Sequence, residues 1–153
     1  MGEPDATMTR IGQGIAFSQR GERDAARQLF AQVWIEIDGE HGDPLHRCAL
    51  AHSMADVQDD VSEELVWDLR ALAAADLITN ERAAEAGVAG PVAGFYPSLH
   101  LNLAECYRRL GDRARAQQQL ERGQAAVGSL SDDGYGRGIK SGLDRLADRL
   151  AAA

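Results

Sequence analysis

The chain has 153 residues, 26% of them charged, with a formal net charge of -8 and a sequence pI near 4.9, which argues against nucleic acid as a partner because that affinity rests on a basic surface. The length suits one domain with a core of its own, and the two cysteines, Cys48 and Cys106, lack the number and spacing of a disulfide framework or a CxxC pair, pointing to a reducing compartment. Residues 1–10 carry Glu3 and Asp5 and no apolar run, and no stretch approaches the ~20 apolar residues of a membrane span, so the expectation is a soluble, cytoplasmic protein with no membrane partner.

Ala, Leu, Glu, Gln and Arg dominate, and no β-branched run alternates with polar residues, so an all-α chain is predicted. The first helix covers 7–20, with Ile11, Gly14 or Ile15, and Phe17 or Ser18 at helical spacing, and Gly21 stops it. A second covers 23–37, burying Ala26, Phe30, Val33 and Trp34 or Ile37, before Gly39, Gly42, Asp43 and Pro44 break the chain. Pro44 opens the third helix with Asp43 as its cap; Leu45, Cys48, Ala51 or His52, and Ala55 follow along it. The fourth, over 60–78, carries Val61, Leu65, Leu69 and Leu72 on one side and Trp67, Ala74 and Ile78 near the other, the pattern of a helix sandwiched between neighbours. A short helix over 80–86 precedes a loop with Gly87, Gly90, Pro91 and Gly94. Next comes a helix over 97–110 that ends at Gly111; Asp112 caps another that runs to 127. After a polar break at 129–135, a last helix over 136–151 places Ile139, Leu143, Leu146 and Leu150 on one face.

The chain also repeats itself at an offset of ninety positions. Gly14, Phe17, Gly21, Ala26 and Phe30 recur as Ala104, Tyr107, Gly111, Ala116 and Leu120, in the order small, aromatic, turn, small, bulky-apolar. Small residues at facing positions let two helices approach closely, and the aromatic fills the gap one turn further on. Gly123, in mid-helix, fits the same logic of close contact with a neighbour. This order resembles the tetratricopeptide repeat, a 34-residue helix-turn-helix unit. The resemblance implies about three hairpins in a single domain, over 7–38, 44–78 and 97–127, with an insertion over 79–96 and a C-terminal capping helix over 136–151. Its middle repeat is degenerate, with Ala51, Met54, Gln58 and Glu63 standing at the small, aromatic, turn and helix B alanine positions.

By the same resemblance the first helix of each hairpin lines a concave groove that takes a segment of a partner protein. Carried over by position, the groove residues are Ile15, Gln19, Cys48, His52, Asp56, Asn102, Glu105 and Arg109. The basic clamp that some relatives use for a terminal carboxylate is missing, since Ile11, Ile15, Ala49 and Ser98 stand at its positions and only Asn102 is polar. The function implied is an adaptor or regulatory scaffold with a protein or peptide partner, not an enzyme, with no cofactor and no metal.

Other readings attach to particular residues. Cys48, His52 and Asp56 share a helix face at steps of four, as a metal or thiol site would require, although His41 and His46 fall on a loop and on another face. Phe95 and Tyr96, read as loop residues, would be a binding anchor or a plug over the insertion. The apolar face of the last helix, or the exposed side of the end repeats, would pair in a homodimer. The acidic run from Asp56 to Asp68 and the arginines from Arg108 to Arg122 read as solvated helix faces.

Overall fold

The computed structural model describes residues 5–88 and 90–152. Among the described residues there are eight α-helices and no strand: α1 (Ala6–Gln19), α2 (Arg23–Glu36), α3 (Pro44–Ala55), α4 (Val61–Ala75), α5 (Asn80–Glu85), α6 (Tyr96–Arg109), α7 (Arg113–Ala126) and α8 (Gly134–Ala152), with 3-10 turns at Gly39–His41, Val92–Phe95 and Val127–Ser129. The chain divides into two compact units, Met1–Ala89 and Gly90–Ala153. No helix is long and apolar enough to cross a membrane among the described residues.

The ninety-residue offset extends to the helix boundaries. Both ends of α1 and α2 recur to the residue in α6 and α7, all four helices having 14 residues. The turns recur as well. Gly21 has φ 81° and Gly111 has φ 82°, a left-handed conformation open to glycine at little cost. In the first unit the Glu22 and Gly21 N–H groups donate to the carbonyls of Phe17 (2.9 Å) and Ser18 (3.0 Å); in the second, Asp112 and Gly111 donate to Tyr107 (2.9 Å) and Arg108 (3.0 Å). This paired 6→1 and 5→2 closure satisfies carbonyls that a helix end leaves bare.

Packing follows the same order. In the first unit Ile11, Ala26, Phe30, Val33, Leu50, Met54 and Val57 form the core, with Phe17 and Trp67 against it. A Cβ placed on Gly14 would lie 2.2 Å from the Phe30 ring, so glycine is what lets this ring cross α1. In the second unit Ala104, Ala116, Leu120, Leu143, Leu146 and Leu150 form the core, with Tyr107 against it. Here an alanine and a leucine occupy the places of the glycine and the phenylalanine. Gly123 is buried beside Leu143 and His100, as close packing at that position requires.

The third helix of each unit extends the correspondence. Pro44 opens α3 and Gly134 opens α8, again ninety residues apart; Asp43 accepts from the Leu45 N–H at 2.8 Å and Asp133 from the Gly136 N–H at 2.8 Å. Helix α3 packs on both α1 and α2, and α8 packs on both α6 and α7. The sequence pattern assigns α8 a capping role, and its apolar face does cover the α6/α7 hairpin.

The structure departs from the sequence reading on α4. The buried residues of α4 are Asp68, Ala71, Ala74 and Ala75, whereas Leu69 is 41% exposed. Helix α3 lies so close that alanine, not leucine, fills the contact. Asp68, 2% exposed, is inside the fold, not on a solvated face. Glu63, aligned to a buried alanine, is exposed, because the α3/α4 connection has no glycine turn and is longer than its counterparts. Phe95 ends a 3-10 turn and Tyr96 begins α6, so neither is a free loop aromatic.

Candidate functional site

Two clusters of charge organise the first unit. Asp5 caps α1 by accepting from the Met8 N–H at 3.1 Å, and Asp43 caps α3. Arg82 of α5 bridges the caps, its Nε donating to Asp43 Oδ2 at 2.8 Å and its NH2 to Asp5 Oδ2 at 3.4 Å. His46 Nε2 lies 2.7 Å from the same Asp5 oxygen, a distance at which the imidazole must carry its proton on Nε2. Arg82 NH2, 3.4 Å from that nitrogen, is then beside a donor and gains no hydrogen bond from it.

This setting acts on the carboxylates. Partial burial raises the Asp5 pKa, but the bonds from His46, Met8 and Arg82 and the charge of His46 outweigh it, so the group falls to about 2. Asp43 is lowered in the same way, burial being overcome chiefly by Arg82. Both contribute stability that is present above their unfolded pKa and is lost as pH falls through the folded value. For Asp5 the window runs from about pH 4 down to about 2. The expected result is that Asp5→Asn lowers Tm at pH 6 and that its gap from the parent closes as pH falls through this window. Paired thermal melts at several pH values measure it.

Arginines of α2 hold the connection that lacks a glycine. Arg27 donates from Nε (3.2 Å) and NH2 (2.9 Å) to the Val57 carbonyl, while Arg23 donates to the carbonyls of Asp56 (3.2 Å) and Gln58 (3.1 Å). Both also reach the Asp59 carboxylate at 3.2 Å. These are the orphan acceptors just past α3. In the second unit Arg113, ninety residues after Arg23, donates to the Leu150 carbonyl near the end of α8, the same service to the corresponding helix. Removing both Arg23 and Arg27 with alanine is expected to cost about 1–3 kcal/mol, since a hydrogen bond to a charged group is worth roughly 1.5–3 kcal/mol when buried and less at this exposure. Urea unfolding measures it.

The predicted groove residues fall in both units. In the first unit Ile15 and Gln19 are exposed on α1, Cys48 is buried in α3, His52 is half-buried and Asp56 is exposed just past its end. Burial pushes the Cys48 thiol up to about 12, so at neutral pH it stays protonated and is neither a nucleophile nor a ready thiolate ligand. Desolvation raises Asp56 above the ordinary carboxylate value, with His52 opposing and Glu64 adding to the rise. The stripe thus runs from core to solvent.

In the second unit Asn102 is half-buried and Arg109 exposed on α6. Glu105 receives Arg108 at 3.0 and 2.5 Å and faces Arg149 of α8 at 3.8 Å. The Arg108 bond chiefly holds its carboxyl below the usual range, against partial burial, with the charges of Arg108, Arg149 and Arg109 adding to it. Leu101, one turn before Glu105, meets Gly142 of α8. The final helix therefore engages the Leu101 and Glu105 side of α6. Leu143, Leu146 and Leu150 are each at most 3% exposed, so of the two surfaces expected for a homodimer the apolar face of the last helix is already buried inside the unit.

Two further arrangements were not visible as pairs in the sequence. Trp34 and Trp67 meet edge to face, centroids 5.1 Å apart, and the Arg70 guanidinium lies 4.5 Å from the Trp67 centroid and 3.4 Å from Glu40. His100 Nδ1 contacts Gln119 Oε1 at 2.7 Å in the buried α6/α7 seam, with Tyr96 stacked on the imidazole at 6.0 Å. That stacking seats one of the two aromatics of the insertion on its own unit. The Arg108-to-Arg122 run is also partly spent on local bonds, through Glu105, Asp112 and the Leu150 carbonyl. Comparison with protein-family models, with curated proteins and with solved structures finds no match to this chain.

Proposed function

We propose that the protein is a tetratricopeptide-like interaction module, an adaptor or regulatory scaffold that holds a segment of a partner protein along the first helices of its hairpins. One observation carries the reading: the small, aromatic, glycine, small, bulky order recurs after ninety residues together with the helix boundaries and the turn hydrogen bonds. Repeats of this kind are stacking units, and stacked hairpins present side chains at one-turn spacing that suit an extended or helical peptide. Half-exposed polar groups such as His52 and Asn102, with Arg109, would bond the peptide backbone. No catalytic motif competes in the sequence.

The test is affinity capture from the native host's lysate with the parent and with a His52→Ala, Asn102→Ala, Arg109→Ala variant. The expected result is an unchanged helical spectrum with loss of the retained partner. Retention of the same proteins by the variant would assign binding to another surface.

A further inference from the structure

Helix α4 presents a second, different surface. Val66 (40% exposed) and Leu69 (41%), with exposed Ala73, follow at steps of three and four on the side opposite the buried Asp68, Ala71, Ala74 and Ala75, and Leu77 (60% exposed) lies in the turn just past the helix. The helical part of this stripe, Val66 to Ala73, is about 10 Å long. Ala73 is small, which allows a partner helix to approach closely. Along the exposed part of this element the charged residues are acidic, Asp60 and Glu63 before the stripe and Asp76 within its length. The single base, Arg70, is spent on Glu40 and on the faces of Trp67 and Trp34. Seventeen acidic and seven basic residues fall in Met1–Ala89, against seven and nine in Gly90–Ala153.

We propose that this face of α4 docks an amphipathic helix of a partner protein whose apolar seam is flanked by lysine or arginine. Apolar anchors at i, i+3 and i+7 match such a helix, and the surrounding acid attracts its basic flanks. A second copy meeting the same face would set one acidic first unit against another, and an anionic lipid or nucleic-acid surface would meet the same repulsion. The surface is separate from the residues of the proposed groove, so either assignment can fail while the other stands.

Fluorescence anisotropy on the full chain tests it with two labelled helical peptides of about 18 residues, both with a leucine seam, one flanked by lysine and one by glutamate. The expected result is saturable one-to-one binding of the lysine peptide, with the glutamate peptide at least roughly tenfold weaker. The Val66→Gln, Leu69→Gln variant should weaken the lysine peptide about tenfold with an unchanged circular-dichroism melt, and Glu63→Gln should weaken it severalfold at low salt only. Equal affinity for the parent and the Val66→Gln, Leu69→Gln variant would overturn the proposal, since the peptide would then be held by acid elsewhere. A dimer in light scattering that this variant converts to monomer would overturn it too, in favour of a second copy.

Discussion

Gly14→Ala should destabilise the first unit by about 1–2 kcal/mol, although alanine is the better helix former. The propensity gain is roughly 1 kcal/mol, but the new Cβ would sit 2.2 Å from Cε1 of Phe30, a ring with no exposure at all. Overpacking of this kind costs about 1–3 kcal/mol and more where the neighbour cannot move. Phe30→Leu alone should also cost stability, because it leaves a void under the helix. The double variant Gly14→Ala, Phe30→Leu recreates the Ala104 and Leu120 pair of the second unit and should be better than the sum of the two by about 0.5–3 kcal/mol, the range for residues in direct contact. A double-mutant cycle by urea unfolding measures the coupling. Additivity would mean that the two hairpins pack these positions differently.

Leu146→Ala is expected to have the larger effect, a loss of about 2–5 kcal/mol for a buried leucine that leaves a cavity. Leu146 is 2% exposed and joins α8 to the core built from Ala104, Ala116 and Leu120. A unit of this size has few kcal/mol in hand. Far-UV circular dichroism with urea should therefore show an early transition that carries part of the helical signal, while the tertiary signal of Trp34 and Trp67, both in the first unit, changes later. Had α8 been a loosely attached tail with an open apolar face, Leu146→Ala would leave the unfolding midpoint in place.

Most of the helical framework is readable from local chemistry. Asp43 before Pro44, Asp112 after Gly111, and the glycines at 21 and 111 set helix ends through hydrogen bonds and backbone conformation that need no distant partner, and the observed boundaries follow within a few residues. The recurring five-position order is likewise local, since each hairpin closes on its own small residues. The candidate surface is another matter. Cys48, His52 and Asp56 look alike in spacing, yet Cys48 is buried, His52 half-buried and Asp56 exposed, although Ser53, Met54, Ala55 and Val57 beside them are buried.

What the amino-acid order determined by itself was the all-helical class, the hairpins and the apolar face of the final helix, because periodicity and capping act over a few residues. Tertiary packing decided that α8 occupies in its unit the place that α3 has in the other, for at the ninety-residue offset the two helices share one identical residue, Arg47 and Arg137, and are otherwise matched by their caps Asp43 and Asp133, by what lies beneath them and by Arg23 and Arg113 at their ends. It also decided that α4 buries alanines and leaves Leu69 to water. A leucine stripe marks a helix face as apolar, but which face is covered depends on how closely the neighbouring backbone approaches, and that distance is a property of two segments at once.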